Sequence, residues 1–430
     1  MNGATACRYE LDHSAIIHLA SMTEQWTNTF RLCATLDRRI DRDILQESLS
    51  LVAPRFPTIV AGIQRGARGY QVVPVAQAPA VQADTDPLRP MSLDQIETCA
   101  MRVMYRDNQI AVEIFHSLTD GYGGLLFLKT LIAAYLACSG DLKWDSISDS
   151  QIPDLRQAPD ASELSDDFPR YTADRAAPRN GAKVYQLPGM PDKPARVRIT
   201  TAAVSVQNLK ALARSYHVSL TALLVCLMGE AIQDMQRRHA ANDETEELVQ
   251  IMVPIDLRRK LQSETLRNFT LYAMVKVWPI REPGTMEEKM QYVQEQIVHQ
   301  SSAQALRESI TTNVRLEQNA VVRRLPLSVK MRLLRIGFHF FGRRNSCLSV
   351  SNLGNIALPA LMERHVRSLT FCLMPRSDAP YNCGVISYQG TLYISISRRC
   401  DIPELERLFF SKLMAMGMEV QFDEDEQMKL

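Results

Sequence analysis

Gln109-Ile110-Ala111-Val112-Glu113-Ile114-Phe115-His116-Ser117-Leu118-Thr119-Asp120-Gly121 is the stretch that decides how this chain is read. Ile110, Val112, Ile114 and His116 alternate with Ala111, Glu113 and Phe115, so a period of two places the imidazole on one strand face with three aliphatic side chains. Gly121 then opens an apolar run with further glycines at 123 and 124, which reads as a buried helix. An imidazole at the end of a buried strand face can reach a cleft while its neighbours pack the core. Its ordinary pKa suits proton transfer near neutral pH, which makes His116 a candidate general base. Asp120, just before the helix, reads locally as an N-cap that accepts from orphan backbone amides.

Working outward, residues 99–105 and 109–115 form a hairpin around Arg106-Asp107-Asn108. Upstream, residues 27–36 read as a strand. Asp41 caps a helix through Ile44, Leu45, Leu49 and Val52, closed by Arg55-Phe56-Pro57 because proline disfavours helix in the residue before it. Residues 139–182 are polar, acidic and proline-bearing, and predict an interdomain crossover. The second half repeats the style of the first. Strands are expected at 195–206, 248–255, 268–279, 347–350, 366–373, 383–389 and 391–397, a long amphipathic helix at 286–312, and a closing helix at 402–416 capped by Asp401. The expected domains are 1–145, a linker at 146–182, and 183–430. Mixed strands and helices in two similar halves predict an α+β fold with two sheets.

The 430 residues carry 49 Lys+Arg and 48 Asp+Glu, so overall charge gives no argument for nucleic acid or an acidic partner. The opening residues have no basic start and apolar core, so no secretory signal is read. The segment 123–138, interrupted by Lys129 and Thr130, is short for a bilayer and reads as a core helix. Nine scattered cysteines with no Cys-x-x-Cys pair predict a reducing, cytoplasmic setting and no metal site. No Gly-x-Ser-x-Gly elbow, phosphate loop or dinucleotide fingerprint appears.

Four segments taken in order resemble the CoA-dependent acyltransferase superfamily: Arg55-Phe56-Pro57; His116 to Gly121; Val253-Pro254-Ile255-Asp256-Leu257-Arg258-Arg259 with Asn268-Phe269; and Ser351-Asn352-Leu353-Gly354. That group includes chloramphenicol acetyltransferase, carnitine acyltransferases, alcohol acetyltransferases, wax ester synthases and nonribosomal peptide condensation domains. The likeness is greatest to the bacterial alcohol acetyltransferase-like branch. It implies two lobes of one topology, each a mixed β-sheet flanked by helices, with His116 in a channel between them. Acyl-CoA is the implied co-substrate and no cofactor is needed. His116 would take the proton of an acceptor hydroxyl, or less readily an amine, for direct attack on the thioester in a ternary complex. Asp120 would pair with Arg258, or with Arg259 as fallback, and so orient the loop that aims His116. Ser351 and Asn352 are the implied oxyanion donors, although Ser-Asn followed by Gly354 also suits a turn after a strand. Gly121, Gly123, Gly124 and Asn268 are the implied substrate-side residues. Gly121 would permit a tight turn, Gly123 and Gly124 fit helix packing equally well, and Asn268 resembles a structural asparagine.

Two departures shape the expected function. Condensation domains usually carry a second histidine where this chain has Phe115, and the Asp-Phe-Gly-Trp-Gly run of plant members is missing. With no flanking carrier domain, the expectation is a freestanding O-acyltransferase acting on a small or lipid-like alcohol. The competing readings are an enzyme dependent on an acyl carrier protein, including amide-forming condensation, and a non-catalytic relative. No acidic residue lies between Glu317 and Glu363. Arg323, Arg324, Lys330, Arg332, Arg335, Arg343 and Arg344 fall there among apolar residues. The region 323–344 therefore reads as a contact for CoA phosphates, a peripheral membrane contact, or a helix with a solvated basic face.

Overall fold

A computed structural model describes residues 8–12, 15–66, 69–147, 151–177, 183–189, 196–240, 247–318, 325, 327–337, 345–376 and 378–422. It is an α+β molecule with two principal sheets and a small third one. The first sheet runs, in spatial order, Val366–Leu373, Thr29–Leu36, Gln109–Phe115, Met101–Arg106 and Gln82–Ala83. The second runs Thr270–Lys276, Gln250–Asp256, Leu348–Ile356, Tyr381–Tyr388, Thr391–Arg398, Arg198–Ser205 and Val420–Phe422. It is mixed, because Leu348–Ile356 runs parallel to both of its neighbours.

Local chemistry explains most elements. Asp41 Oδ1 accepts from Asp43 N and Ile44 N and starts the helix Arg42–Val52, whose Leu45, Leu49 and Val52 face the core. Ser219 caps Leu220–His239 by accepting from Ala222 N. Gln389 and Gly390 have φ of 45° and 80°, the left-handed pair that a tight hairpin requires between Tyr381–Tyr388 and Thr391–Arg398. The helix Gly121–Cys138 has the length and hydropathy of a membrane span. It is nevertheless a core element here, with Phe127, Leu128, Leu131, Ile132 and Leu136 packed in the same cluster as Phe30, Val112 and Ile114.

Several expectations are corrected. Val366–Leu373 belongs to the stretch assigned to the second lobe, yet it pairs antiparallel with Thr29–Leu36 and completes the first sheet. Its alternation identifies a strand, but nothing local says which sheet it joins. Among the described residues a small third sheet joins the expected two, because the hairpin Ala61–Arg65 and Tyr70–Pro74 pairs with Tyr9–Glu10. The long helix at 286–312 is two, Met286–Gln300 and Ala303–Gln318, broken at Ser301-Ser302. Asp401 does not cap the closing helix. That helix begins at Glu404, and Asp401 instead accepts from Arg198 Nη2 at 2.7 Å.

Candidate active site

His116 stands one residue beyond Gln109–Phe115 and is partly accessible, whereas Phe115, Ser117, Thr119 and Asp120 around it are buried. Its backbone N–H donates to Asn28 O at 2.7 Å, which continues the pairing with the neighbouring strand. Its ring donates Nδ1–H to Asn268 Oδ1 at 2.9 Å. An amide oxygen only accepts, so the proton sits on Nδ1 and the Nε2 lone pair is left to take one. The Asn268 Nδ2 is buried without a hydrogen-bond partner among the described residues, an arrangement that stability alone does not favour.

Asp120 fulfils both of its expected roles with different oxygens. Its Oδ1 accepts from Tyr122 N at 3.1 Å and Gly123 N at 3.4 Å, capping Gly121–Cys138. Its Oδ2 accepts from Arg258 Nη1 at 2.8 Å, Phe269 N at 2.8 Å and Thr270 Oγ1 at 3.0 Å. Burial pushes this carboxyl up, but the Arg258 charge and these donors outweigh it and hold Asp120 below the usual carboxylate range.

Arg258 opens the short helix Arg258–Leu261 and is buried, whereas Arg259 is exposed and is not the partner. Its guanidinium also donates to Asp256 Oδ1 at 2.8 Å, Thr265 O at 2.7 Å and Arg267 O at 2.6 Å, and lies 4.6 Å over the Tyr122 ring. Asn268 is therefore bracketed. Arg258 holds the carbonyl before it, and Asp120 holds the amide after it. The carboxylate four residues past His116 braces the very asparagine that orients His116.

The crossover secures the same loop. Arg55 donates to both oxygens of Glu163 at 2.5 and 2.8 Å, and Glu163 O accepts from Leu266 N at 2.8 Å. Thr265 Oγ1 donates to Ser165 O and Ser263 Oγ to Asp167 Oδ2, each at 2.6 Å. Arg55 was singled out in the sequence, but Glu163 had no local signal beyond its charge.

The glycines are explained by packing. A Cβ on Gly121 would lie 2.5 Å from Leu353 Cδ2, one on Gly123 2.6 Å from Leu266 O, and one on Gly124 2.6 Å from Phe30 Cε2. The first of these contacts brings the Ser351-Asn352-Leu353-Gly354 segment against the start of the helix after His116. Ser351 and Asn352 lie inside the strand Leu348–Ile356, paired with Gly384 and Val385, not in a turn after it. Asn352 is committed: its Nδ2 donates to Thr221 Oγ1 at 3.2 Å and its Oδ1 accepts from Gly354 N at 2.8 Å, shaping the bulge before Asn355. Ser351 is buried as a residue, and its hydroxyl has no such commitment among the described residues.

Sequence reading missed His18. It lies on the helix Ala15–Ser21, and its ring centroid is 4.8 Å from that of His116 with the planes tilted by 36°. Its Nδ1 accepts from Asn28 Nδ2 at 2.7 Å. Burial, then the proximity of His116, holds its pKa well below the ordinary histidine value. A lone histidine in Ala-Ile-Ile-His-Leu carries no signal of a partner so far along the chain. Burial pushes the Cys347 and Cys383 thiols up to about 12, which leaves them poor nucleophiles. Within 323–344, the helix Leu327–Gly337 packs on Ala15–Ser21, with Arg335 Nε donating to Ala20 O at 3.0 Å. Arg323, Arg324, Arg343 and Arg344 lie outside the described residues.

No family model matches this chain, and no curated protein matches it. Solved structures do. Polyketide synthase associated protein 5 from Mycobacterium tuberculosis is similar with a TM-score of 0.56 and 17% identity, over 94% of this chain and 97% of that one. The starter condensation domain of rhizomide synthetase in complex with C8-CoA gives 0.59 and 13%, over 95% and 94%. Wax ester synthase/diacylglycerol acyltransferase from Marinobacter aquaeolei VT8 gives 0.53 and 10%, over 95% and 100%. The chain has the two-lobed, chloramphenicol acetyltransferase-like fold of the CoA-dependent acyltransferases, the fold that its four ordered segments resemble.

Proposed function

We propose that this protein is an acyltransferase that moves an acyl group from acyl-CoA to a hydroxyl acceptor, with His116 as general base. The observation that carries the reading is the Nδ1–H bond from His116 to Asn268 Oδ1, which leaves Nε2 as the acceptor on a partly accessible ring. His116 Nε2 takes the acceptor O–H proton as the oxygen attacks the thioester carbonyl. The tetrahedral oxyanion collapses, the C–S bond breaks, and the thiolate recovers the proton from the imidazolium. Such a base contributes roughly 10²–10⁴-fold. Asp120 and Arg258 act as positioning residues, and Ser351 Oγ is an oxyanion donor. Asn352, whose side chain bonds Thr221 and Gly354, is a framework residue in this reading. Gly121, Gly123 and Gly124 serve packing near the substrate. The reaction needs no metal or cofactor, and the cysteine pattern fits a cytoplasmic enzyme.

A second reading, transfer from an acyl carrier protein, is favoured by the similarity to a starter condensation domain and to a polyketide synthase associated protein. Thiol release from acetyl- to long-chain acyl-CoA, measured with a panel of alcohols and amines, tests the first. Turnover of carrier-bound thioesters alone would replace it with the second. His116→Ala should lower turnover by about 10²–10⁴-fold with an unchanged melting temperature. Full activity in that variant would reject the general base.

A further inference from the structure

The helix Ala15–Ser21 is fastened to the His116 segment at several points. Ser117 Oγ donates to Ala15 O at 2.9 Å, and Ala15 N donates to Asp12 Oδ1 at 2.6 Å. Asn28 serves both imidazoles, its carbonyl taking the His116 backbone N–H at 2.7 Å and its amide donating to His18 Nδ1 at 2.7 Å. The second bond fixes the tautomer of His18. Its Nδ1 is an acceptor, so its proton is on Nε2. No described residue takes that N–H, and His18 as a residue is partly accessible. The result is an uncommitted N–H donor on a ring whose centroid is 4.8 Å from that of His116. Asn352, the other amide expected to serve there, is held by Thr221 and Gly354.

We propose that His18 is a second catalytic imidazole, which donates its Nε2–H to the thioester carbonyl oxygen as negative charge develops on it. The inference rests on the acyl-transfer reading of His116 and adds a residue to it. No proton is transferred by His18. His116 takes the acceptor proton and returns it to the leaving thiolate, while His18 donates a hydrogen bond that strengthens as the carbonyl becomes an oxyanion. Desolvation keeps the His18 ring neutral, so it presents a fixed dipole and does not compete with His116 for the proton.

Octanoyl-pantetheine is the probe, because it carries the thioester common to CoA and carrier-bound donors. His18→Phe keeps a ring against His116 and removes the donor. Its kcat should fall about 10²-fold with KM unchanged, and His18→Gln, which restores an N–H, should recover part of the loss. Wild-type kcat in the Phe variant, or a Gln variant as impaired as the Phe variant, would overturn the proposal. A readout on the wild-type protein separates this from a failure of the acyl-transfer reading. In a sample with ¹⁵N-labelled histidine, the His18 Nε2–H resonance should move on adding octanoyl-pantetheine without acceptor. An unmoved resonance at saturating probe would reject His18 as the donor, whatever the turnover.

Discussion

Glu113 and Asp120 are carried by one short stretch of chain, both are buried, and they are stabilised in opposite ways. Asp120 takes backbone donors from its own helix and, from the second half of the chain, Phe269 N, Thr270 Oγ1 and Arg258. Among the described residues Glu113 is served only from the first half: Oε1 accepts from Arg31 Nη1 at 3.0 Å and Leu88 N at 2.6 Å, while Oε2 faces Arg102 Nη1 at 3.6 Å, beyond hydrogen-bond range. Burial accordingly dominates and pushes Glu113 up, although Arg31 and Arg102 oppose it. Asp120 is held down. A buried carboxyl whose lone pairs are saturated by fixed donors is held low, and one with fewer donors is pushed up. The saturated carboxylate is the one that bridges the two halves and braces Asn268.

The largest break in this contrast should come from Arg258→Met. It leaves Asp120 without its counter-ion and frees both carbonyls of the Asn268 loop, at a cost of about 3–5 kcal/mol, read as a lower urea midpoint with unchanged slope. Near-wild-type stability would mean that backbone donors alone suffice for Asp120. Asp120→Asn is expected to cost about 1–3 kcal/mol and to reduce activity through a misplaced His116.

The pH dependence gives that variant a signature. The folded pKa of Asp120 lies below the unfolded value of about 3.9, so its contribution is complete above that pH and is lost as pH falls through the folded pKa. The gap in melting temperature between wild type and Asp120→Asn should be flat from neutral pH to about 5 and close in stronger acid. Glu113→Gln is expected to be the smallest change, because burial already pushes the Glu113 carboxyl up and offsets part of what Arg31 and Arg102 contribute. Its trend has the opposite sign. With a folded pKa above the unfolded one, Glu113 favours the fold most at low pH, and the wild type should lose ground to Glu113→Gln as pH rises through the folded value. Parallel pH trends for the two variants would remove the distinction between the two carboxylates.

The sequence made the local half of this site legible. Strand alternation located His116, the capping pattern located Asp120, and the ordered motifs singled out Arg258 and Asn268. What it did not show depends on contacts distant in the chain. His18 reaches His116 only because a helix near the start is fastened by Asn28 and Ser117. Glu163 matters only because the crossover lies against the loop 263–268. Strand alternation set Glu113 on the face opposite His116 but did not show its partners, Arg31, which also pairs with Asp84, and Arg102, in a second buried layer. For Ser351 and Asn352 the sequence left a turn open beside the oxyanion role, because Gly354 has the composition of one. The strand runs on through a bulge instead, since its parallel neighbours supply the pairing that overrides it.

The strand Val366–Leu373 has one more consequence. It pairs with the whole length from Phe30 to Leu36, so a protein severed at the crossover would yield a first half with a bare β-edge rather than a self-sufficient module. Fragments made by protease or by split expression should clump alone and dissolve when co-produced. A strand from the second half is thus stitched into the first sheet, and the two halves share one hydrogen-bonded ribbon.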